Sequence, residues 1–194
     1  MQLDDAIRAR RMCRDFSDRP VAPEILDRLL DRARRAPSAG HTQGWAFVVL
    51  EGDDTEVFWV HGSDRPRVPP GVRRAPALVV PFVSRAAYLS RYAEVDKSGS
   101  AVVEAWGVPY WVVDGAFSTM LLLLGAVEEG LGALFFALRR DPVHLLDALG
   151  VPGDWAPLGA VALGWPAPGW RGAAPGSAAR GRRSLDEVVH RGGW

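Results

Sequence analysis

The sequence predicts an α+β fold in which helices cover a small sheet. Three observations indicate this fold: two segments with helical periodicity open the chain, four short apolar runs of strand length follow, and one long apolar helix separates the second run from the third. No internal repeat or composition break divides the 194 residues. We therefore expect one domain that spans residues 1–194.

The chain opens with two predicted helices. Residues 1–11 place Leu3 and Ile7 on one helical face. Pro23 suits the first position of a second helix, which repeats its apolar residues at helical spacing and ends near Pro37.

Four apolar runs form the predicted sheet: residues 46–50, 77–83, 133–138 and 158–163. In the second run, Pro81 indicates a bulge or a sheet edge, because proline cannot donate a ladder hydrogen bond. The intervening chain is harder to interpret. We expect residues 51–75 to be irregular, find no clear period in 84–113, and expect short helices at 142–149 and, capped by Ser184, at 184–190.

Residues 114–132 form the predicted central helix. After Asp114, the predicted N-cap of the helix, the segment is apolar until Glu128, with Gly130 or Gly132 as the predicted C-terminal stop. The absence of a polar stripe predicts a helix buried nearly all round, too short and interrupted to cross a bilayer. Such a helix requires more cover than one small sheet provides, and a partner subunit would supply it.

The composition is that of an ordinary soluble protein, with 48% hydrophobic and 24% charged residues. The 23 basic and 23 acidic residues balance, so no charge excess favours nucleic acid or an anionic membrane as a partner. Cys13 is the single cysteine, which excludes an internal disulfide, and the N-terminus has acidic residues where a signal peptide needs basic ones. We therefore expect a cytoplasmic protein.

Most motifs of catalytic side-chain chemistry are absent. The four histidines lack metal-ligand spacing, and neither a G-x-S-x-G nor a G-x-G-x-x-G motif is present. Cys13 lies between Arg11 and Arg14, which would favour a reactive thiolate, but a bystander cysteine is the favoured interpretation because no base partner is identifiable. The chemistry must therefore come from a cofactor.

Three segments suit a cofactor with a phosphate. Arginines cluster in residues 10–14 and again in 180–183, and arginine binds phosphate with two parallel hydrogen bonds. Between them, the loop 37–45 combines small residues with an imidazole and an amide before a strand. Each segment also has a simpler explanation, a solvated charged face for the arginines and a plain turn for the loop.

Taken in order, these segments resemble the FMN-dependent nitroreductase family. Residues 10–16 match the family's Arg-Arg-Ser-x-Arg-x-Phe motif, and residues 36–49 match its Ala-Pro-Ser-x-x-Asn-x-Gln-Pro-Trp motif with the Phe-Val-Val strand that follows. Residues 130–132 match its Gly-Leu-Gly helix end, and residues 163–166 match its Leu-Gly-x-Pro strand end. Residues 182–190 match its basic pair before Leu-x-Glu-Val-Val-His. Nearly the whole chain except 51–112 is covered. Met12, His41 and Gly44 depart from the motifs, where the family has serine, asparagine and proline.

The resemblance implies a mostly antiparallel central sheet flanked by helices, and a homodimer with two FMN sites at the interface and a C-terminal extension that wraps the partner. NAD(P)H would be the electron donor. The resemblance implies that the residues around the phosphate are Arg10, Arg11, Met12, Arg14, Arg180 and Arg182. The other subunit would contribute Ser38, His41 and Gln43. Backbone groups beside the flavin ring would come from Phe135, Phe136 and Ala137.

The expected activity is electron transfer from NAD(P)H through FMN to a small planar acceptor such as a nitroaromatic or a quinone. Trp106, Tyr110 and Trp111 offer flat surfaces for such a substrate, although residues of this type equally suit the core. Two alternatives stay open: a specialised biosynthetic enzyme that oxidises a heterocycle or cleaves reduced flavin, and a protein that holds FMN or a deazaflavin without turnover.

Overall fold

The computed structural model describes residues 1–63, 68–98, 103–138, 141–170, 172 and 180–194. Within them, five strands form one antiparallel sheet: β1 (Trp45–Glu51), β2 (Ala77–Val83), β3 (Gly132–Phe136), β4 (Ala156–Pro157) and β5 (Ala160–Gly164). The order across the sheet is β1-β2-β5-β3, and β4 pairs with the end of β2. β1 and β3 therefore lie at opposite edges, and the prediction of a mostly antiparallel sheet flanked by helices is confirmed.

Helices lie on both faces of this sheet: α1 (Leu3–Ala9), α2 (Pro23–Ala33), α3 (Thr55–His61), α4 (Pro70–Arg73), α5 (Arg85–Tyr92), α6 (Tyr110–Glu128) and α7 (Val143–Ala148). Successive side chains of a strand point to opposite faces, so β2 serves two cores. Leu78 and Val80 pack in the cluster that contains α3 and α7 residues, whereas Ala77 and Val79 pack with α2 and α6.

β2 is the central strand, and all seven of its residues are buried. Its predicted bounds are confirmed, and Pro81 does not mark an edge. Pro81 O accepts from Leu158 N at 2.9 Å, in the gap between β4 and β5. In a strand, the C=O and N–H positions of one residue point to the same side. The nitrogen of Pro81, which has no hydrogen to donate, therefore faces the gap between β4 and β5, where no ladder bond is required.

Two of the sequence predictions about helices are wrong, and one stretch without a prediction contains a helix. The stretch 51–75 is not irregular, because it contains α3 and α4, and 84–113, where no period was found, contains α5. In α3, Phe58 and Trp59 are fully buried, so tertiary packing stabilises a short helix with weak local signals. The expected helix at 184–190 is a turn, in which Ser184 N and Oγ both donate to Glu187 Oε2.

The central helix α6 starts at Tyr110, and Asp114 is an interior residue rather than its cap. The C-terminal stop is as predicted, with Gly130 left-handed at φ 73°. Burial is one-sided in the single chain, because Val112, Phe117 and Met120 are exposed. At 19 residues α6 is long and apolar enough to span a membrane, contrary to expectation, but its other side packs on the sheet and α2 as a core helix does.

Candidate functional site

The arginine segment is attached to the free edge of β3. Met12 forms a parallel bridge with Ala133, and Cys13 N donates to Ala133 O at 2.8 Å. Gly132 makes this approach possible, since a Cβ there would lie 2.7 Å from the Cβ of Cys13. The backbone of residues 12–13 thus extends the sheet beyond β3.

Cys13 is a structural residue. Its side chain is fully buried, and Sγ lies 3.2 Å from Asp15 O as a hydrogen-bond donor. Burial raises the pKa of the thiol, and this effect outweighs the opposite influence of Arg14. The thiol therefore stays protonated, which agrees with the interpretation of a bystander cysteine.

The three arginines of this segment differ in what they already bind. Arg11 Nη1 donates to the carbonyls of Arg8 and Arg10, and Arg14 Nη1 donates to Met12 O at 3.2 Å from an exposed side chain. Arg10 Nη1 is buried and has no hydrogen-bond partner among the described residues. A buried N–H donor left without a partner costs about 1–3 kcal/mol, and an anionic ligand would remove that cost. The arrangement fits a phosphate.

β3 offers backbone rather than side chains to a ligand. Phe136 is stacked on Trp59, with ring centroids 6.1 Å apart, and meets Phe58 edge-to-face at 5.8 Å, so its side chain belongs to the core. Because Ala133 O faces the arginine segment, alternation along the strand directs the N–H and C=O of Phe135 to the same outer edge. Ala137, just beyond the strand, is exposed.

The loop before β1 is held in an unusual conformation. Gly40, His41 and Gln43 all have left-handed backbones, with φ values of 62°, 53° and 52°. This region is disfavoured for residues with a Cβ, and such strain concentrates at binding sites. Ser38 Oγ accepts from Gln43 N at 2.9 Å, and the Gln43 amide nitrogen lies 3.0 Å from His41 Nε2. The two exposed side chains therefore meet at the loop tip.

Hydrogen bonds with two neighbouring helices hold this loop in place. Ala39 N donates to Asp114 Oδ2 of α6 at 2.8 Å, and Arg91 Nε of α5 donates to Gly40 O at 2.9 Å. Sequence reasoning missed both anchors. Asp114 was visible as the one acid in an apolar stretch but suggested a helix cap, and Arg91 carried no signal.

Trp106, Tyr110 and Trp111 are brought together beside the loop. Trp106 meets Tyr110 edge-to-face at 5.2 Å and also contacts two tyrosines of α5, Tyr92 at 4.8 Å and Tyr88 at 6.1 Å. Trp111 lies 6.5 Å from Tyr88. We call these five residues the aromatic cluster. It touches the loop at two glycines: a Cβ on Gly40 would lie 2.9 Å from Tyr92, and one on Gly44 would lie 2.5 Å from Tyr88, which explains why Gly44 carries no side chain.

The arginine segment and the loop lie at opposite edges of the sheet in one chain. The first is paired with β3, and the second leads into β1. Three inter-strand spacings separate these edges, about 14 Å. The predicted cofactor residues thus form two half-sites, and the loop half-site carries the aromatic cluster.

The C-terminal arginines do not join either half-site through a contact seen in the described residues. All of 180–194 is exposed, including Arg180 and Arg182, and the polar contacts seen there stay within the segment, as between Arg183 and Glu187. The expected extension over residues 165–181 lies partly outside the described residues.

Residues 7–67, which contain the arginine segment and the loop, match the sequence profile of the Nitroreductase family. The chain is similar to the nitroreductase family. It is 28% identical over 180 residues to a protein of Methanothermobacter thermautotrophicus assigned as an NADH dehydrogenase/NAD(P)H nitroreductase, a match that covers 88% of this chain and 82% of that protein. It is 27% identical over 182 residues to the 5,6-dimethylbenzimidazole synthase of Rhodospirillum rubrum, covering 84% and 82%.

The nitroreductase fold is also found in a solved structure. The crystal structure of a nitroreductase-like protein of Desulfovibrio desulfuricans in complex with FMN superposes with a TM-score of 0.74 and 24% identity, covering 97% of this chain and 95% of that one. Similarity at this identity shows a shared fold. Together, these matches bear out the predicted resemblance to the nitroreductase family and its fold.

Proposed function

We propose that this protein is a cytoplasmic, homodimeric oxidoreductase that uses FMN and NAD(P)H to reduce a small planar acceptor, such as a nitroaromatic or a quinone. The observation that carries the proposal is the buried, unpaired Nη1 of Arg10, a residue that lies two positions before the bridge between Met12 and Ala133 of β3. A phosphate bound by Arg10 leaves the rest of the cofactor free to lie along the edge of that strand.

The proposed phosphate contacts are Arg10 and Arg14, joined by Arg180 and Arg182 of the C-terminal segment. Arg11 adds charge rather than a bond, since its Nη1 already binds carbonyls, and Met12 fixes the segment through its backbone. Positive charge here stabilises the phosphate without a bound metal ion.

The proposed ring contacts are backbone groups at 135–137 on one side and Ser38, His41 and Gln43 of the partner subunit on the other. Bound FMN would supply the redox chemistry, accepting a hydride from NAD(P)H and passing electrons to the acceptor. The outward N–H of Phe135 would orient the ring, and the fastened loop would hold its polar groups in place without reorganisation. Because the flavin would carry the redox chemistry, this scheme does not require a side chain of the described half-sites to act as a base.

The homodimer follows from unpartnered apolar surface. Phe117 and Met120 of α6 are about half exposed, α1 contacts α6 and leaves Leu3 and Ile7 exposed, and Leu185 and Val188 are exposed in the C-terminal segment. A second copy of this chain would cover these surfaces and bring its loop half-site to the arginine segment. Contiguous apolar surface of this kind marks an interface.

The first test is to purify the protein, record its absorption spectrum and identify the released chromophore. We expect bound FMN, and oxidation of NADH or NADPH that depends on a nitroaromatic or quinone acceptor. A protein that binds no flavin would contradict the proposal, and one that binds FMN but consumes neither nicotinamide would be a flavin-binding protein.

A second candidate is a biosynthetic enzyme that acts on reduced flavin. The similarity to 5,6-dimethylbenzimidazole synthase favours it, because that match is nearly as extensive as the match to the nitroreductase. Incubation of the protein with reduced FMN and oxygen distinguishes the two: destruction of the flavin supports the second candidate, and simple reoxidation supports the first.

We expect the aromatic cluster to select the acceptor. Trp106→Ala and Trp111→Ala should change kcat/KM about two- to tenfold unequally among acceptors, because each removes a stacking surface beside the loop half-site. FMN content and dimerisation should stay intact. The measurement is steady-state kinetics with a nitroaromatic and a quinone.

Trp165→Ala is the matched control, because Trp165 is a half-buried tryptophan outside the aromatic cluster that donates to Pro20 O at 3.2 Å. It should leave the acceptor ratio unchanged. If both cluster variants instead unfold or lose FMN, these tryptophans serve the core and do not select substrate.

A further inference from the structure

Asp114 is a buried acid with two hydrogen-bond donors. Its residue is 3% exposed, and its Oδ2 accepts from Ala39 N–H at 2.8 Å and from Tyr88 O–H at 2.7 Å. No ion pair to Asp114 is seen in the described part of the chain. Burial of a carboxylate costs free energy unless hydrogen bonds compensate it, so Asp114 and these two donors depend on one another.

Tyr88 keeps its proton for this bond. The ring is fully buried, and burial, reinforced by Asp114, raises the pKa of the phenol far above its usual value. The same ring contacts Trp106 and Trp111 and faces Gly44. Asp114 therefore binds, through one oxygen, both the loop half-site and the centre of the aromatic cluster.

The bond to Ala39 is placed where the loop needs support. Ala39 directly precedes Gly40 and His41, where the backbone turns into the left-handed region. A residue with a Cβ stays in that region only where its surroundings hold it there. Asp114 also lies one turn before Phe117, on the helix that carries the exposed apolar face.

We infer that Asp114 is a positioning residue for the flavin: through Ala39 and Tyr88 it holds the loop half-site in the conformation that presents Ser38, His41 and Gln43 to the ring. The inference rests on the proposed function and deepens it, because it identifies Asp114 of α6 as the residue that fixes the geometry of this half-site. Asp114 does not touch the cofactor in this scheme. Its action is to keep the loop ready to bind.

The test compares Asp114→Ala, Asp114→Asn and Tyr88→Phe in the full-length protein. We expect Asp114→Ala to weaken FMN binding about ten- to hundredfold, because it removes both bonds. Asp114→Asn and Tyr88→Phe should weaken it about three- to tenfold, because asparagine offers the two donors only an uncharged oxygen and phenylalanine removes one of the donors. Riboflavin affinity should fall by the same factors, since the loop half-site is remote from the phosphate. Asparagine should rescue part of the visible circular dichroism of the bound flavin that alanine loses.

Thr119→Val is the matched control. Thr119 is 5% exposed on the same helix, and its Oγ1 donates to Gly115 O at 2.8 Å, a bond internal to α6. This variant should bind FMN like the parent. If Thr119→Val loses as much FMN affinity as Asp114→Asn, the effect comes from removing any buried polar group of α6, and Asp114 does not position the loop.

Hydrogen exchange in flavin-free protein tests the loop without any cofactor. Asp114→Asn and Tyr88→Phe should speed exchange of the amides in 38–44 at least tenfold and leave those of β2 unchanged. Unchanged exchange together with unchanged FMN affinity overturns the inference, even if Asp114→Ala fails to fold. If the parent binds no flavin, the proposed function fails, while faster loop exchange in the variants still establishes the anchor.

Discussion

Replacing Arg10 with alanine is expected to weaken FMN binding about ten- to hundredfold, the equivalent of roughly 1.5–3 kcal/mol for one charge-assisted contact. Riboflavin, which lacks the phosphate, should bind with nearly unchanged affinity. The reason is Nη1, which is buried and has no hydrogen-bond partner in the described chain. Titration of flavin-free protein with both ligands gives the two dissociation constants.

The same variant has a second, opposite effect. Removing a buried, unpaired N–H donor should leave the free energy of unfolding of the flavin-free protein unchanged or raise it by up to about 1 kcal/mol. Arg8→Ala is the control, because Arg8 is an exposed arginine in the last turn of α1, two residues before Arg10. If Arg10→Ala destabilises the flavin-free protein and weakens both ligands alike, Arg10 is structural and the phosphate is bound elsewhere.

A double variant with Phe117→Asp and Met120→Asp is expected to be monomeric and free of FMN. Burying a carboxylate at an interface costs several kcal/mol, so two should raise the dimer dissociation constant by at least about a thousandfold. An obligate interface buries on the order of 2,000 Å² or more. Sedimentation gives the oligomeric state, and absorbance gives the flavin content.

Val60→Asp is the matched substitution. Val60 is 41% exposed on α3, which packs on the sheet face opposite to α6. It should leave the dimer and the flavin in place. A double variant that sediments as a dimer would place the interface elsewhere, and a monomer that keeps FMN would contradict a site built from two chains.

Elements with local signals could be predicted from the sequence. Pro23 fixes the start of α2, the unbroken apolar run of β2 fixes a strand buried on both faces, and Gly130 fixes the end of α6. Ser84 was an overlooked signal of the same kind, since its Oγ caps α5 by accepting from Ala87 N at 3.2 Å.

Asp114 shows why the remainder could not be predicted. By residue type it suits a helix cap, but its partners are 75 and 26 residues away along the chain. The two half-sites could be recognised through motifs, whereas their separation follows only from the strand order, which no local pattern in the chain specifies. The use of Phe136 in the core likewise depends on Trp59, a residue of a helix that the sequence did not reveal.

The strand order also has a thermodynamic consequence. With β1 and β3 at opposite edges, one proposed cofactor molecule would contact two chains, and its binding equilibrium would be linked to that of subunit association. Each equilibrium must then strengthen the other by the same factor. Dilution would release flavin, added flavin would draw monomers together, and the melting temperature would rise with the concentration of either. The protein would thus bind its cofactor most tightly at high protein concentration.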